Sequence, residues 1–235
     1  MKLLESCRKI YPRASNSKTG FYLRWLVGLI RNSTSINGID KELLRYLPNT
    51  PGFFIEAGGN DGINQSNTFI LEKKYGWHGL LIEPVPRLAQ LCSKSRSNSI
   101  VKNMALVAPN NVGNEISMID LGLMTFVNGG SDENSEKRIQ YGVKHTGRNP
   151  NTFQISGDTL SNLLLSIGNP QIDFLSLDVE GYEVDVLNGL DFSIHKPRLI
   201  LVETKSPIEI SRILEKMYVL IAQLSHHDYL YRLND

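Results

Sequence analysis

The chain has 235 residues, enough for one α/β domain with a short N-terminal extension and a sizeable core. Its 25 basic and 24 acidic residues nearly cancel, so the electrostatic footprint of a nucleic-acid binder is missing. Cys7 and Cys92 are too few and too far apart for a metal knuckle or a disulfide framework, and read as free thiols of a reducing, cytoplasmic compartment.

The first apolar run, Phe21 to Ile30, is interrupted by Arg24. It falls short of the ~20 residues a membrane span needs, and no small-residue cleavage site follows it, so neither a span nor a leader is expected. It reads as an amphipathic helix covering the domain, with peripheral membrane contact as the alternative. Residues 1–50 are thus assigned to a helical extension and 51–235 to the main domain.

Pro51-Gly52 breaks the chain, and Phe53-Phe54-Ile55 reads as a short buried strand. It leads into Glu56-Ala57-Gly58-Gly59-Asn60-Asp61-Gly62, an acidic residue followed by a glycine-rich turn. Glycine lets the backbone turn sharply and approach a ligand closely, and Asn60 tolerates left-handed geometry. Ser66 to Tyr75 has helical spacing with Ser66 as a cap. The next strand, Leu80-Leu81-Ile82, ends in Glu83, at the offset where an acid hydrogen-bonds a ribose hydroxyl in nucleotide-binding α/β folds. The GxGxxG spacing of dinucleotide sites is absent, and Glu56 would repel a pyrophosphate but welcome a sulfonium amino acid. That combination points to S-adenosylmethionine.

A helix opens at Pro86 and runs through Leu91, with Cys92 as a small core residue. Ser99 to Leu106 is a third strand, and Glu115 to Asp120 alternates as an added strand or hairpin would. Residues 128–151 are polar, glycine-rich and aperiodic, which predicts a long loop: a functional lid or a disordered segment. Asp158 or Thr159 caps a helix reaching Leu165. Strand Asp173 to Val179, helix Tyr182 to Leu190 and strand Pro197 to Glu203 follow. Helix Ile208 to Met217 then precedes an antiparallel pair, Tyr218 to Leu224 with Tyr229 to Leu233. Alternation of this kind predicts a mostly parallel, doubly wound sheet. Ligands of such sheets bind beyond the carboxyl ends of the strands, where Glu56, Glu83, Asn103, Asp178, Glu180 and Glu203 fall. Each acid, taken singly, has the plainer reading of a helix cap.

Four motifs in order sharpen the reading: Glu56-x-Gly58-x-Asn60-x-Gly62; Leu81-Ile82-Glu83-Pro84; Phe174-Leu175-Ser176-Leu177-Asp178-Val179-Glu180-Gly181-Tyr182-Glu183; and Leu199-Ile200-Leu201-Val202-Glu203. With Leu187-x-Gly189 and the tail Asp228 to Arg232, they resemble the FkbM family of S-adenosylmethionine-dependent methyltransferases from Gly52 to Arg232. Glu56 stands where the family commonly has aspartate, which keeps the charge and adds a methylene. The resemblance implies a Rossmann-like class I methyltransferase core and O-methylation of a sugar or other hydroxyl. It also implies residue roles: Glu56, Gly58, Asn60 and Gly62 at the methionine part of the cofactor, Glu83 at the ribose, Asn103 and Met104 framing adenine. Asp178 and Glu180 would face the methyl group and the acceptor.

A sugar hydroxyl is a poor nucleophile and needs a base near its proton. Asp178 is the first candidate, with acceptor positioning or helix capping as rival roles; His145, in the long polar loop, is the second. No two histidines have metal-ligand spacing, and a hard cation on Asp178, Glu180 and Glu203 is the less favoured reading. The expected acceptor is a saccharide, polymeric or nucleotide-linked; a lipid, a peptide or another small metabolite is the alternative. A nicotinamide-dependent sugar oxidoreductase is more distant, since GxGxxG and a Tyr-x-x-x-Lys pair are missing. A non-catalytic scaffold would be expected to have lost the glycine loop or Asp178. No motif encodes an oligomeric state.

Overall fold

A computed structural model describes residues 18–122, 124–128 and 135–234. Cys7 and residues 129–134 of the expected loop lie outside the described residues. In chain order the elements are α1 (Lys18–Arg31), a 3-10 turn (Ile36–Gly38), α2 (Ile39–Leu43), β1 (Phe53–Ala57), α3 (Phe69–Tyr75), β2 (His78–Ile82), α4 (Pro86–Ser95), β3 (Ile100–Lys102), β4 (Ala105–Leu106), β5 (Glu115–Asp120) and β6 (Thr125–Val127). Then come α5 (Ser135–Thr146), β7 (Asn151–Asp158), α6 (Leu160–Ser166), β8 (Phe174–Leu177), α7 (Glu183–Asn188), β9 (Leu199–Glu203), α8 (Pro207–Leu214), β10 (Tyr218–Gln223) and β11 (Asp228–Leu233).

The seven-stranded main sheet has the order β10-β11-β9-β8-β1-β2-β3. β1 pairs in parallel with β2 and β8, and only β11 runs against its neighbours, β9 and β10. Strand β1 is buried along its whole length, as a central parallel strand must be. Side-chain alternation divides the core between the two faces of the sheet. On one face Ile55, Leu175 and Ile200 meet α6, α7 and α8 through Leu164, Leu187 and Ile210. On the other, Phe54, Phe174 and Leu201 meet Leu43 of α2, Leu71 of α3 and Cys92 of α4. Each such side chain contributes about 1.5–3 kcal/mol by leaving water. The fold is the Rossmann-like α/β class expected, wound in opposite directions from β1.

Two local expectations change. The single third strand is split at Asn103 into β3 and β4, because Asn103 Nδ2 turns back to donate to Glu83 O at 2.8 Å and Pro84 O at 2.9 Å. The segment expected as a loop carries α5 and the start of β7. Glu115–Asp120 is an added strand in a hairpin, as expected: it pairs antiparallel with β6, and β4-β7-β5-β6 form a second, four-stranded sheet. The apolar N-terminal run is helical, packing Phe21, Trp25 and Leu29 onto Phe69 and Ile70, while Tyr22, Leu26 and Ile30 face outward. Among the described residues no helix is long and apolar enough to cross a membrane.

Candidate active site

The winding reverses between β1 and β8, which opens a crevice above their carboxyl ends. Two loops meet there. After β1, Gly58 N and Gly59 N both donate to Ile82 O at 3.0 Å, folding the chain back over β2. Gly58 has φ 88°, and a Cβ on it would stand 2.0 Å from Asp178 O, so only glycine lets the β1 and β8 loops touch. Asn60 is left-handed at φ 48° and presents its N–H to Glu83 Oε2 at 2.7 Å. Val85 N donates to Glu83 Oε1 at 2.9 Å. Burial outweighs these two donors, and with Asp120 and Asp61 nearby it pushes the Glu83 carboxyl up to about 7.

The cleft between the two sheets encloses about 820 Å3 including its mouth. Gly58, Asn60 and Glu83 from the β1 and β2 loops and Asp178, Glu180 and Tyr182 from the β8 loop line it. Apolar walls come from Leu88 and Met104 on one side and Met118 and Val127 of the second sheet on the other. This size and lining suit a nucleoside-sized ligand.

Of the sequence-predicted residues, Gly58, Asn60, Glu83, Met104, Asp178 and Glu180 are brought together at this cleft. Gly62 and Asn103 support it from behind. Gly62 shapes the turn at φ 80° beside Ser95 and Arg96, and Asn103 braces the loop after β2.

Glu56 is not brought there. Its carboxylate accepts from Ser66 Oγ at 2.8 Å, Asn67 N at 2.7 Å, Thr68 Oγ1 at 2.6 Å and Arg96 Nη1 at 3.3 Å. The expectation that it meets the methionine part of the cofactor is corrected on this geometry: the side chain points to the α3–α4 face, like Phe54 two residues before it.

His145 is also elsewhere. It lies on the exposed side of α5, its Nδ1 2.8 Å from Tyr141 O and its ring stacked on Tyr141. Asp178 is not the N-cap of α7 either: that position is Tyr182, with no side-chain cap hydrogen bond, while Glu183 Oε1 accepts from Gly181 N at 2.8 Å and Val179 N at 3.3 Å in the preceding loop.

Asp178 is hydrogen-bonded to Glu203. Burial, then Glu203, Glu180, Glu183 and Asp228, hold the Asp178 carboxyl well above the usual range. Burial and Asp228 bring Glu203 to about 7, against the lowering effect of its bond to Asp178. Neighbouring carboxyls that repel each other's charge favour a shared proton over two ionised groups. Glu180 is held at φ 54°, and its carbonyl oxygen accepts from Arg138 Nη2 of α5. No group of three or more His, Cys, Asp or Glu among the described residues is placed to hold a metal ion, so Asp178, Glu180 and Glu203 do not converge as a cation site.

Sequence reasoning missed Arg24, Arg96 and Arg138. Arg24 Nη2 pairs with Asp61 Oδ2 at 2.7 Å, tying α1 to the glycine loop. Arg96 is fully buried between Glu56 and Glu72. No local pattern announces a buried arginine. Strand β7 did carry a signal: Phe153, Ile155 and Gly157 alternate with polar residues.

The methyltransferase FkbM domain matches residues 56–233 of this chain. No curated protein matches. Among solved structures, the methyltransferase FkbM from Methylobacillus flagellatus KT is 14% identical with a TM-score of 0.48, over 77% of this chain and 43% of that one. The chain thus spans less than half the length of that protein. A TehB-like SAM-dependent methyltransferase from Corynebacterium glutamicum is 9% identical (TM-score 0.45; 92% of this chain, 97% of that one). An O-methyltransferase from Bacillus cereus in complex with SAH is 8% identical (TM-score 0.43; 98% and 97%). The chain belongs to the FkbM family of S-adenosylmethionine-dependent methyltransferases.

Proposed function

We propose that this protein methylates a hydroxyl oxygen of a saccharide, with Asp178 as the base. The observation that carries the reading is that Asp178 lines the same cleft as Glu83 and stands beside Glu203, with both carboxyls held above their usual range. The residues present fit the family's cofactor. Glu83 keeps lone pairs free for ribose hydroxyls after accepting from Asn60 and Val85. Met104, Leu88, Met118 and Val127 supply an apolar slot for a purine. Gly58 and Asn60 let the backbone come close to the amino-acid end. S-adenosylmethionine bound there would supply a methyl group on a sulfonium centre.

The chain's own work is then binding, orientation and proton removal. Asp178 sits where the hydroxyl proton must leave, and Glu203 sets how readily it is taken. The second sheet lines the cleft through Met118, Thr125 and Val127. Arg138 holds the Glu180 carbonyl, and with it the loop that carries Asp178. A base so placed is worth ~10²–10⁴-fold in rate. The oxidoreductase reading loses its support, since Glu83 lies among methyltransferase motifs and no nicotinamide pair accompanies it.

Titration calorimetry with S-adenosylhomocysteine and NAD, followed by transfer of a labelled methyl group to oligosaccharides, tests the proposal. Binding of S-adenosylhomocysteine alone and a base-stable methyl ether on the sugar are expected. Tight NAD binding without S-adenosylhomocysteine binding would sink it.

A further inference from the structure

Across Asp178 from the cofactor cleft lies a second concavity of about 780 Å3, open solvent included. Its inner wall is the Asp178–Glu203 pair. One side is Ile36, Asn37 and Ile39, from the 3-10 turn and the head of α2; the other is the Ser225–Asp228 turn between β10 and β11. Asp178 and Gln65 face both cavities.

Resting on the methyltransferase reading above, we propose that this concavity is the acceptor site and that it takes an uncharged saccharide, not a nucleotide sugar or another anion. Transfer requires acceptor and cofactor to meet with reacting atoms about 3–3.5 Å apart, and Asp178 is where the two spaces adjoin. A further depression, lined by Arg87, Asp120 and Arg148 among others, does not reach Asp178.

Charge selects the ligand. Asp178, Glu203 and Asp228 line the concavity, and among the described residues no Lys or Arg does. A pyrophosphate or sugar phosphate would therefore face carboxylates with no cation in the lining to receive it, an arrangement that rejects anions. What remains is suited to hydroxyls: the amides of Asn37, Gln65 and Asn67 and the imidazoles of His226 and His227 donate and accept hydrogen bonds. Ile36, 47% exposed, offers an apolar surface to the C–H face of a sugar ring.

Both sides are built rather than loose. Asp40 Oδ2 accepts from Thr34 N and its Oδ1 from Ser33 Oγ, both at 2.7 Å, fixing the 33–40 segment. Thr204 N donates to His227 O at 2.8 Å, anchoring the opposite turn to the end of β9.

Labelled methyl transfer from S-adenosylmethionine is measured to a panel of neutral methyl hexosides and deoxyhexosides, to UDP- and GDP-sugars and to hexose phosphates, with wild type, Ile36→Arg and His226→Ala. Both substitutions are on the surface, away from the cofactor cleft. Neutral glycosides should be methylated in preference to the anions. Ile36→Arg, which fills the site, should cut kcat/KM for them ~10-fold or more, and His226→Ala by less, with S-adenosylhomocysteine affinity unchanged in calorimetry. Preference for a nucleotide sugar or hexose phosphate overturns the proposal. So does an unaltered kcat/KM in Ile36→Arg, or the absence of transfer to any neutral glycoside by a protein that binds S-adenosylhomocysteine. Failure of the wild type to bind S-adenosylhomocysteine would instead strike the cofactor reading.

Discussion

Glu56 and Glu72 are buried against Arg96, whereas Asp178 and Glu203 lie half-buried beside each other. In the first group a cation answers the charge: Arg96 Nε reaches Glu72 Oε2 at 2.8 Å and Nη1 reaches Glu56 Oε2 at 3.3 Å. Burial pushes Glu72 up, but Arg96, Lys73 and Ser99 bring it below the ordinary value. In the second group carboxyls face carboxyls, and every shift is upward. The same residue type thus serves two ends. Glu72, answered by a cation, is held below its ordinary value, and Asp178 and Glu203, answered by other acids, are held above theirs.

Removing the cation attacks the contrast hardest. Arg96→Met leaves two buried carboxylates without their partner and should cost about 3–5 kcal/mol of stability, read from urea unfolding. Glu72→Gln, which leaves the Glu56 contact in place, should cost less and provides a folded comparison. A loss below about 1 kcal/mol for Arg96→Met would put the first group among exposed-type pairs and erase the distinction.

Asp178→Asn comes next. Turnover should fall by ~10²-fold or more, with S-adenosylhomocysteine affinity and melting temperature retained. A fully active Asp178→Asn would remove the base assignment, and a variant with raised KM for the acceptor but intact turnover would leave Asp178 a positioning residue.

The smallest effect is on pH dependence. If Asp178 is the base, turnover should rise with pH as the pair loses its proton, Glu203 being held at about 7. Stability should run the other way. Between the ordinary value of 4.5 and about 7, the folded protein keeps a proton on Glu203 that the unfolded chain has released. Unfolding then releases protons, and stability falls as pH rises through that window. Glu83 adds a slope of the same sign. Glu203→Gln should flatten the decline and raise the melting temperature slightly at alkaline pH. Melting curves across this range check both signs; a wild type that gains stability with rising pH would refute the upward shifts.

How much of this was legible beforehand depends on the distance over which each feature is decided. Strands β1, β2, β8 and β9 are continuous apolar runs bounded by glycine, proline or acids, so their existence and their chain order could be read directly. The turn at Gly58 and Asn60 is local backbone chemistry and was equally readable. Helix α5 was not, because its inward side is Arg138, Ile139 and Gly142, with a cation where an apolar residue would have shown a period. Arg138 makes sense there only once Phe126 lies 4.3 Å beneath its guanidinium and Glu180 O stands before it.

By itself, then, the sequence determined the alternation of strands and helices, the glycine turn and the placing of acids at strand ends, since each follows from a few consecutive residues. Only the tertiary structure decided which of those acids does what. Glu56 and Asp178 end neighbouring parallel strands and look alike in one dimension. One side chain points to the face where Arg96 waits, forty positions along the chain. The other meets Glu203 across the adjacent strand, at the wall between two cavities. The physical reason is that a carboxyl's charge is set by what surrounds it, and residues distant in sequence supply those surroundings.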